Sequence, residues 1–251
     1  MAISNWAVAR AYVIETKFEC LRVLRTPSFS IPILVLPVGF YLLLGVVMTG
    51  GRETTAAPGN VYWFVSFAVY GVLAPGLIGI SSLLSSDRSQ RIVDFKRAAP
   101  MPYASYVISK LLMAIVLSAA VTALITILAV TVGGVSLTLA QFLSVTGVVI
   151  FGVAPVSAIG LCIAMHTSPS GSSAIAGTLL VVMAILAGLF YPLPGVLNTL
   201  RVIWPTYHLQ QLSLAALGEP SRGAPFAHIS VLLALTVVFG FLAASRLERA
   251  S

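Results

Sequence analysis

From residue 111 to residue 200 the chain runs for 90 residues without a single aspartate, glutamate, lysine or arginine. No water-facing surface can be assembled from such a stretch, because soluble domains carry roughly 25% charged residues. Over the whole chain of 251 residues only 8% are charged and 59% are apolar, with a mean hydropathy of +1.03. Intrinsic disorder is excluded on the same ground, since a chain this apolar has far more surface to hide than charge to keep it dissolved. What remains is an all-α polytopic membrane protein. Its net charge of +7 does not point to nucleic acid, because the basic residues lie between hydrophobic runs. Cys20 and Cys162 are too few and too far apart for a disulfide framework or a zinc site.

A helix needs roughly 20 mostly apolar residues to cross the hydrocarbon layer. Six stretches qualify: 31–48, 61–84, 103–132, 139–165, 173–190 and 227–244. Gly133 and Gly134 stop the third, Gly152 and Pro155 interrupt the fourth, and Thr167-Ser168-Pro169-Ser170-Gly171 separates the fourth from the fifth. Lys and Arg are retained in short cytoplasmic loops. Arg10, Lys17, Arg22, Arg25, Arg88, Arg91, Lys96, Arg97, Lys110, Arg246 and Arg249 fall on one side of this topology, against Arg52, Arg201 and Arg222 on the other. Both termini are therefore expected in the cytoplasm.

Residues 1–26 read as an interfacial helix. Ala7, Ala11, Ile14, Phe18 and Leu21 recur at helical spacing, while Arg10, Glu15, Lys17, Glu19 and Arg22 point elsewhere. A solvated tail is the alternative. Residues 190–223 are fairly apolar but carry Pro192, Pro194, Arg201 and Pro205, so they cannot form a plain span; a re-entrant pair of short helices at the outer face is expected, with an ordinary loop as the alternative. Tyr62, Trp63, Tyr191, Trp204 and Tyr207 fit an outer interfacial belt.

Several chemistries lack their residues. The three lysines follow Thr16, Phe95 and Ser109, so none sits in the Gly-Lys-Ser/Thr of a phosphate-binding loop. No carboxylate occurs between Asp94 and Glu219, which removes the usual intramembrane proton relay. His166 with Ser170, Ser172 and Ser173 offers a nominal base and nucleophile, yet it occupies a turn where Ser, Pro and Gly are ordinary punctuation. His208 and His228 have no ligand-spaced companion. No catalytic, metal or cofactor residue is expected in this chain.

The charged exception is the loop at residues 85–102, which reads Asp87-Arg88-Ser-Gln-Arg91-Ile92-Val-Asp94-Phe95-Lys96-Arg97-Ala-Ala-Pro100. Ile92 and Phe95 with Ala98 or Ala99 can form one face of a short helix, Asp87, Arg88, Arg91 and Asp94 another, and Pro100 and Pro102 the turn into the third span. Such a helix can dock into a partner's groove; a positive loop that only sets topology is the alternative.

This loop resembles that of the type-2 permease subunits of ATP-binding-cassette transporters, a family that includes drug-resistance permeases. Its members show Glu-Arg, Gly-Thr-Leu-Glu, a hydrophobic pair, Thr-Pro and a Lys opening the next span. Asp87-Arg88, Asp94-Phe95, Ala99-Pro100 and Lys110 take those places, while Arg91-Ile92 stand where the family has Gly-Thr. Phe190, Pro192, Leu193 and Pro205-Thr206-Tyr207 are similar to a second family element before the last span.

The resemblance implies a single transmembrane permease domain over residues 1–251 with no ATPase of its own. ATP and Mg would be held by a cytoplasmic partner ATPase docked on Asp87, Arg88, Arg91, Asp94, Phe95, Arg97 and Pro100. A second permease chain would complete the pathway in a bacterial inner membrane. With no charge inside spans three to five, an apolar or amphipathic cargo is expected, with Phe67, Tyr70, Met183 and Leu186 as pathway candidates. A lipid or glycan-precursor exporter and a non-transporting membrane anchor remain as alternatives.

Overall fold

The computed structural model describes residues 5–48, 59–93, 95, 103–191 and 193–249, and among these every regular element is helical. A first helix, α1 (Asn5–Leu24), precedes α2 (Pro27–Val47), α3 (Asn60–Ser89), α4 (Tyr103–Thr131), α5 (Leu139–His166) and α6 (Pro169–Leu186). Two short helices follow, α7 (Gly195–Leu200) and α8 (Pro205–Leu217), joined by a tight turn at Arg201–Ile203, and α9 (Pro225–Arg249) closes the chain. Six of these helices, α2 to α6 and α9, are long and apolar enough to cross a membrane.

Most boundaries lie within a few residues of those read from hydropathy, and the exceptions have physical causes. Pro155 does not interrupt the fourth span: α5 is continuous through it, with Pro155 buried against neighbouring helices. Packing of this kind makes a proline tolerable in a membrane helix. Elsewhere the helices widen into π turns: Ile31–Val35 and Ala74–Gly79 each carry a proline near their start, whereas Tyr41–Val47 has none.

At the π turn of α3 the backbones of two helices come into contact. A Cβ placed on Gly160 of α5 would lie 2.5 Å from the Gly76 carbonyl oxygen, and one on Gly76 would lie 2.9 Å from Val156 Cγ1. Two glycines facing each other thus let the backbones of α3 and α5 touch, as small residues do in membrane interfaces.

α3 is the central element. From Trp63 to Leu77 every residue is buried, so the helix is apolar all round and lies inside the bundle. The peripheral helices show the opposite: Val35 and Val47 on α2, Val181 and Ile185 on α6, and Val237 and Phe241 on α9 are exposed, an apolar rim suited to hydrocarbon. α5 starts at a capping box in which Thr138 accepts from the Gln141 amide and the Gln141 side chain accepts from the Thr138 amide. The Ser168 hydroxyl caps α6.

Residues 193–223 fold as α7, the tight turn and α8, while Pro192 lies outside the described residues. α8 is buried along most of its length against α3, α5 and α9. Its polar groups are matched: Thr206 donates to the Met183 carbonyl at 2.9 Å, and Gln210 donates to Ser66 Oγ at 2.8 Å. Of the expected aromatic belt, Tyr191 is exposed, but Trp63 and Tyr207 are buried. Trp63 stacks on Phe67 one turn along α3, with ring centroids 6.0 Å apart, so it belongs to the core rather than the belt.

Candidate functional site

Four charged side chains converge at the end of the bundle that carries the loop after α3. Asp87 in the last turns of α3 accepts at Oδ1 from Arg22 of α1 at 2.7 Å, and at Oδ2 from Lys110 of α4 at 2.8 Å and the Tyr106 hydroxyl at 2.7 Å. Lys110 also donates to Glu19 Oε1 of α1 at 2.8 Å, and its ammonium lies 4.8 Å from the centre of the Tyr106 ring. Lys110 and Asp87 are each only 1% exposed, so the cluster is an interior one that happens to be neutral: two cations against two carboxylates. Such groups tolerate burial only when paired and hydrogen-bonded. Arg22 is the member nearest solvent. Burial opposes its charge, the Asp87 carboxylate outweighs that, and the guanidinium is held above its already high ordinary value.

The local sequence explains the convergence. Glu19 and Arg22 stand three residues apart on α1 and so share a face, while Lys110 is two turns inside α4. Val13, Ile14, Lys17 and Phe18 of α1 are exposed, whereas Glu19 and Val23 turn inward. The contact with the bundle is thus made jointly by the charged Glu19 and Arg22 and the apolar Val23. Lys110, counted from sequence as a loop charge, is instead a buried strut between α1, α3 and α4. Its signal was present: a lone ionisable residue in an otherwise apolar span calls for a named partner.

The docking candidates divide into two groups. Asp87 faces the ionic cluster, and Arg88 donates to the backbone carbonyl of Ala164 on α5, so both fasten the loop to the bundle. Val93 is buried with Leu84, Tyr106, Ala164, Met165 and Ala243 and does the same with apolar contact. Arg91 and Phe95 point away: Arg91 is exposed, and Phe95, in the helical turn that follows, is 79% exposed. Asp94, Arg97 and Pro100 lie outside the described residues.

Residues 10–217 of this chain match the ABC-2 type transporter family. The chain belongs to that family. It is accordingly a membrane-embedded permease component of an ATP-binding-cassette transporter, not the ATPase. No curated protein matches the chain.

One departure of this ABC-2 permease from the family pattern now has a structural consequence. α3 ends at Ser89 with Gln90 as its cap, and Arg91 follows with φ of 57°, the left-handed conformation that normally favours glycine at a helix C-terminus. An arginine there carries a Cβ penalty that glycine lacks. Arg91→Gly is expected to stabilise the isolated permease by roughly 0.5–1 kcal/mol, after allowing for the greater freedom of glycine in the unfolded chain. Thermal unfolding of the detergent-solubilised protein checks this, and a lowered Tm would contradict it.

The pathway candidates also separate. Phe67 and Tyr70 belong to an aromatic cluster on α3: both rings lie 5.5 Å from Phe190, and Phe67 meets Tyr41 of α2 at 6.0 Å. Both are buried within this single chain. Met183 lines an apolar cleft of about 300 Å³ with Leu179, Trp204 and Phe239, between α5, α6, α8 and α9. Leu186 is half-buried at the end of α6. The serines near His166 are committed elsewhere. Ser172 donates to the Ser81 carbonyl at 2.9 Å, and the His166 ring contacts the Cys162 carbonyl at 2.8 Å, so no base–nucleophile pair forms.

Proposed function

We propose that this permease is the membrane half of an exporter that moves a hydrophobic or amphipathic, drug-like molecule out of the cytoplasm of a bacterium, with both termini on the cytoplasmic side. ATP is hydrolysed on a separate subunit carrying ATP and Mg. That subunit docks on the loop from Asp87 to Pro100, and a second permease chain, identical or paralogous, closes the pathway. The observation that carries this reading is the buried cluster of Glu19, Arg22, Asp87 and Lys110. It ties α1, the end of α3 and the start of α4 to one another at the base of the loop that carries the exposed Phe95.

A push on the loop is therefore delivered to α3, the helix at the centre of the bundle, instead of being lost in a flexible hinge. ATP binding favours one of two arrangements of the helices, and access to the pathway follows that population shift. The cargo class is supported by the lining of the cleft at Met183, which is almost wholly apolar, and by the absence of Asp, Glu, Lys and Arg from residues 111–200.

The test is purification of the tagged chain from its native membrane in mild detergent, with mass spectrometry of what accompanies it. A stoichiometric ATPase bearing a phosphate-binding loop is the expected companion. After reconstitution, vesicles should accumulate hydrophobic dyes in an ATP-dependent way. ATP-dependent movement of a fluorescent lipid but no dye would reassign the cargo. Absence of any ATPase, under conditions that keep such complexes intact, would overturn the coupling role of the loop.

A further inference from the structure

At the opposite end of the bundle from the ionic cluster, two histidines face each other in an arrangement that fixes their proton count. His208 of α8 and His228 of α9 are both buried, and their Nδ1 atoms lie 2.7 Å apart. The other nitrogen of each ring meets a backbone carbonyl oxygen: His208 Nε2 lies 2.8 Å from the Val202 oxygen, and His228 Nε2 lies 2.7 Å from the Arg222 oxygen. A carbonyl oxygen can only accept, so both Nε2 atoms must carry hydrogen. Between the two Nδ1 atoms, no hydrogen would press two lone pairs together, and two hydrogens would collide. One satisfies the contact. Three protons on four nitrogens leave the pair with a single positive charge.

We propose that His208 and His228 form a proton-binding site that holds one shared proton, and that this proton latches the α7–α8 segment to the start of the last membrane helix. The contacts show what the latch joins. Val202 lies in the turn before α8, and Arg222 lies in the loop between α8 and α9, whose amide also donates to Gln211 Oε1 at 2.7 Å. Gly223, at φ of 84°, leaves room for the His228 ring: a Cβ there would sit 3.1 Å from its Nε2.

The surroundings leave the proton dependent on the pair. On α8 the Tyr207 ring stands edge-on to both imidazoles, at 5.3 and 5.9 Å, and the Arg201 guanidinium lies 4.8 Å over the centre of the same ring. Tyr62 on α3 donates to the Gly188 carbonyl. The outer halves of α5 and α6 carry no titratable side chain. In the α8–α9 loop Arg222 and Glu219 are exposed, and Glu219 is the one carboxylate at this end of the bundle among the described residues. Among the described residues no buried carboxylate therefore pins the charge. Burial lowers His208, as does the neighbouring His228, although its bond to Val202 acts the other way. A pair coupled in this way titrates in two steps, and the latch exists only between them. It is lost as pH rises past the upper step, when the shared proton leaves, and as pH falls past the lower one, when a second arrives.

The experiment uses the full chain in lipid nanodiscs, labelled with 15N-histidine and assigned with single variants of each histidine. Near pH 6.5, the ordinary histidine range, three of the four ring nitrogens of the pair should be protonated. The count should become two at high pH and four at low pH. Amide exchange over residues 218–224 should accelerate about tenfold or more at both extremes. His228→Gln should show the fast exchange at every pH. Two protonated nitrogens throughout the range, or loop exchange indifferent to pH in the wild type, would overturn the proposal. If His228→Gln fails to fold, the wild-type nitrogen count still decides. None of these readouts involves transport, so the exporter reading and this one stand or fall separately.

Discussion

Lys110→Met is expected to remove a large share of the stability of the folded permease. The substitution keeps the length of the side chain and its apolar stem but takes away the cation that meets both Glu19 and Asp87. Asp87 keeps Arg22 and Tyr106, whereas Glu19 keeps, among the described residues, only Arg22, at 4.0 Å. Its second oxygen, Oε2, is already buried without a hydrogen bond. Breaking a buried pair in this way costs roughly 3–5 kcal/mol, because a charge is left uncompensated in a low-dielectric interior. Total stabilities are about 5–15 kcal/mol.

The expected result is a fall of roughly 6–20 °C in the unfolding temperature of the detergent-purified chain, or failure to recover a monodisperse protein. The double variant Lys110→Met with Glu19→Gln tests the cause, since it removes one cation and one anion and leaves Asp87 paired to Arg22. Recovery of a large part of the lost stability in the double variant is expected. A single variant that unfolds like the wild type would show that the cluster does not hold α1 to the bundle.

This cluster rests on contacts that no local sequence pattern displays. Hydropathy placed the six spans because burial in a bilayer demands a length and a composition that the sequence displays directly. Long-range pairing leaves no such mark. Glu19 and Lys110 are 91 positions apart, and an amphipathic pattern on α1 says which residues share a face without saying which face turns inward. Ile14 and Phe18, which would face the core of a soluble protein, are exposed here.

The same inversion explains Trp63, whose indole suits a membrane interface by chemistry but stacks inside the bundle because α3 is enclosed on all sides. His208 and His228 were each read as isolated, since ligand spacing is a local criterion and these two meet across the junction of separate helices. The loop was the most legible part of the site. Its charges and its Phe95 stood out against 90 uncharged residues, although which of those charges face inward depended on neighbours that no local pattern names.

Phe95→Asp is expected to abolish ATP-driven transport by the reconstituted complex while leaving the permease itself intact. Phe95 is 79% exposed in the isolated chain, so an aspartate there remains in water and the fold loses little. Docked against the ATPase, the same position would have to bury a carboxylate where an aromatic ring had been. A central aromatic anchor of an interface typically accounts for about 2–4 kcal/mol when truncated, and an unpaired buried charge adds to that. Transport should therefore fall by about 30-fold or more at limiting ATPase, with unchanged Tm and membrane insertion.

Val93→Asp separates docking from packing. Two residues earlier, Val93 is buried against Leu84, Tyr106 and Met165, so its substitution should lower the Tm of the permease alone. An intact fold with lost coupling at Phe95, beside a damaged fold at Val93, would place the partner's contact on the outward side of this loop. Transport unaffected by Phe95→Asp would remove that contact from the loop and leave the ionic cluster as a structural tie alone.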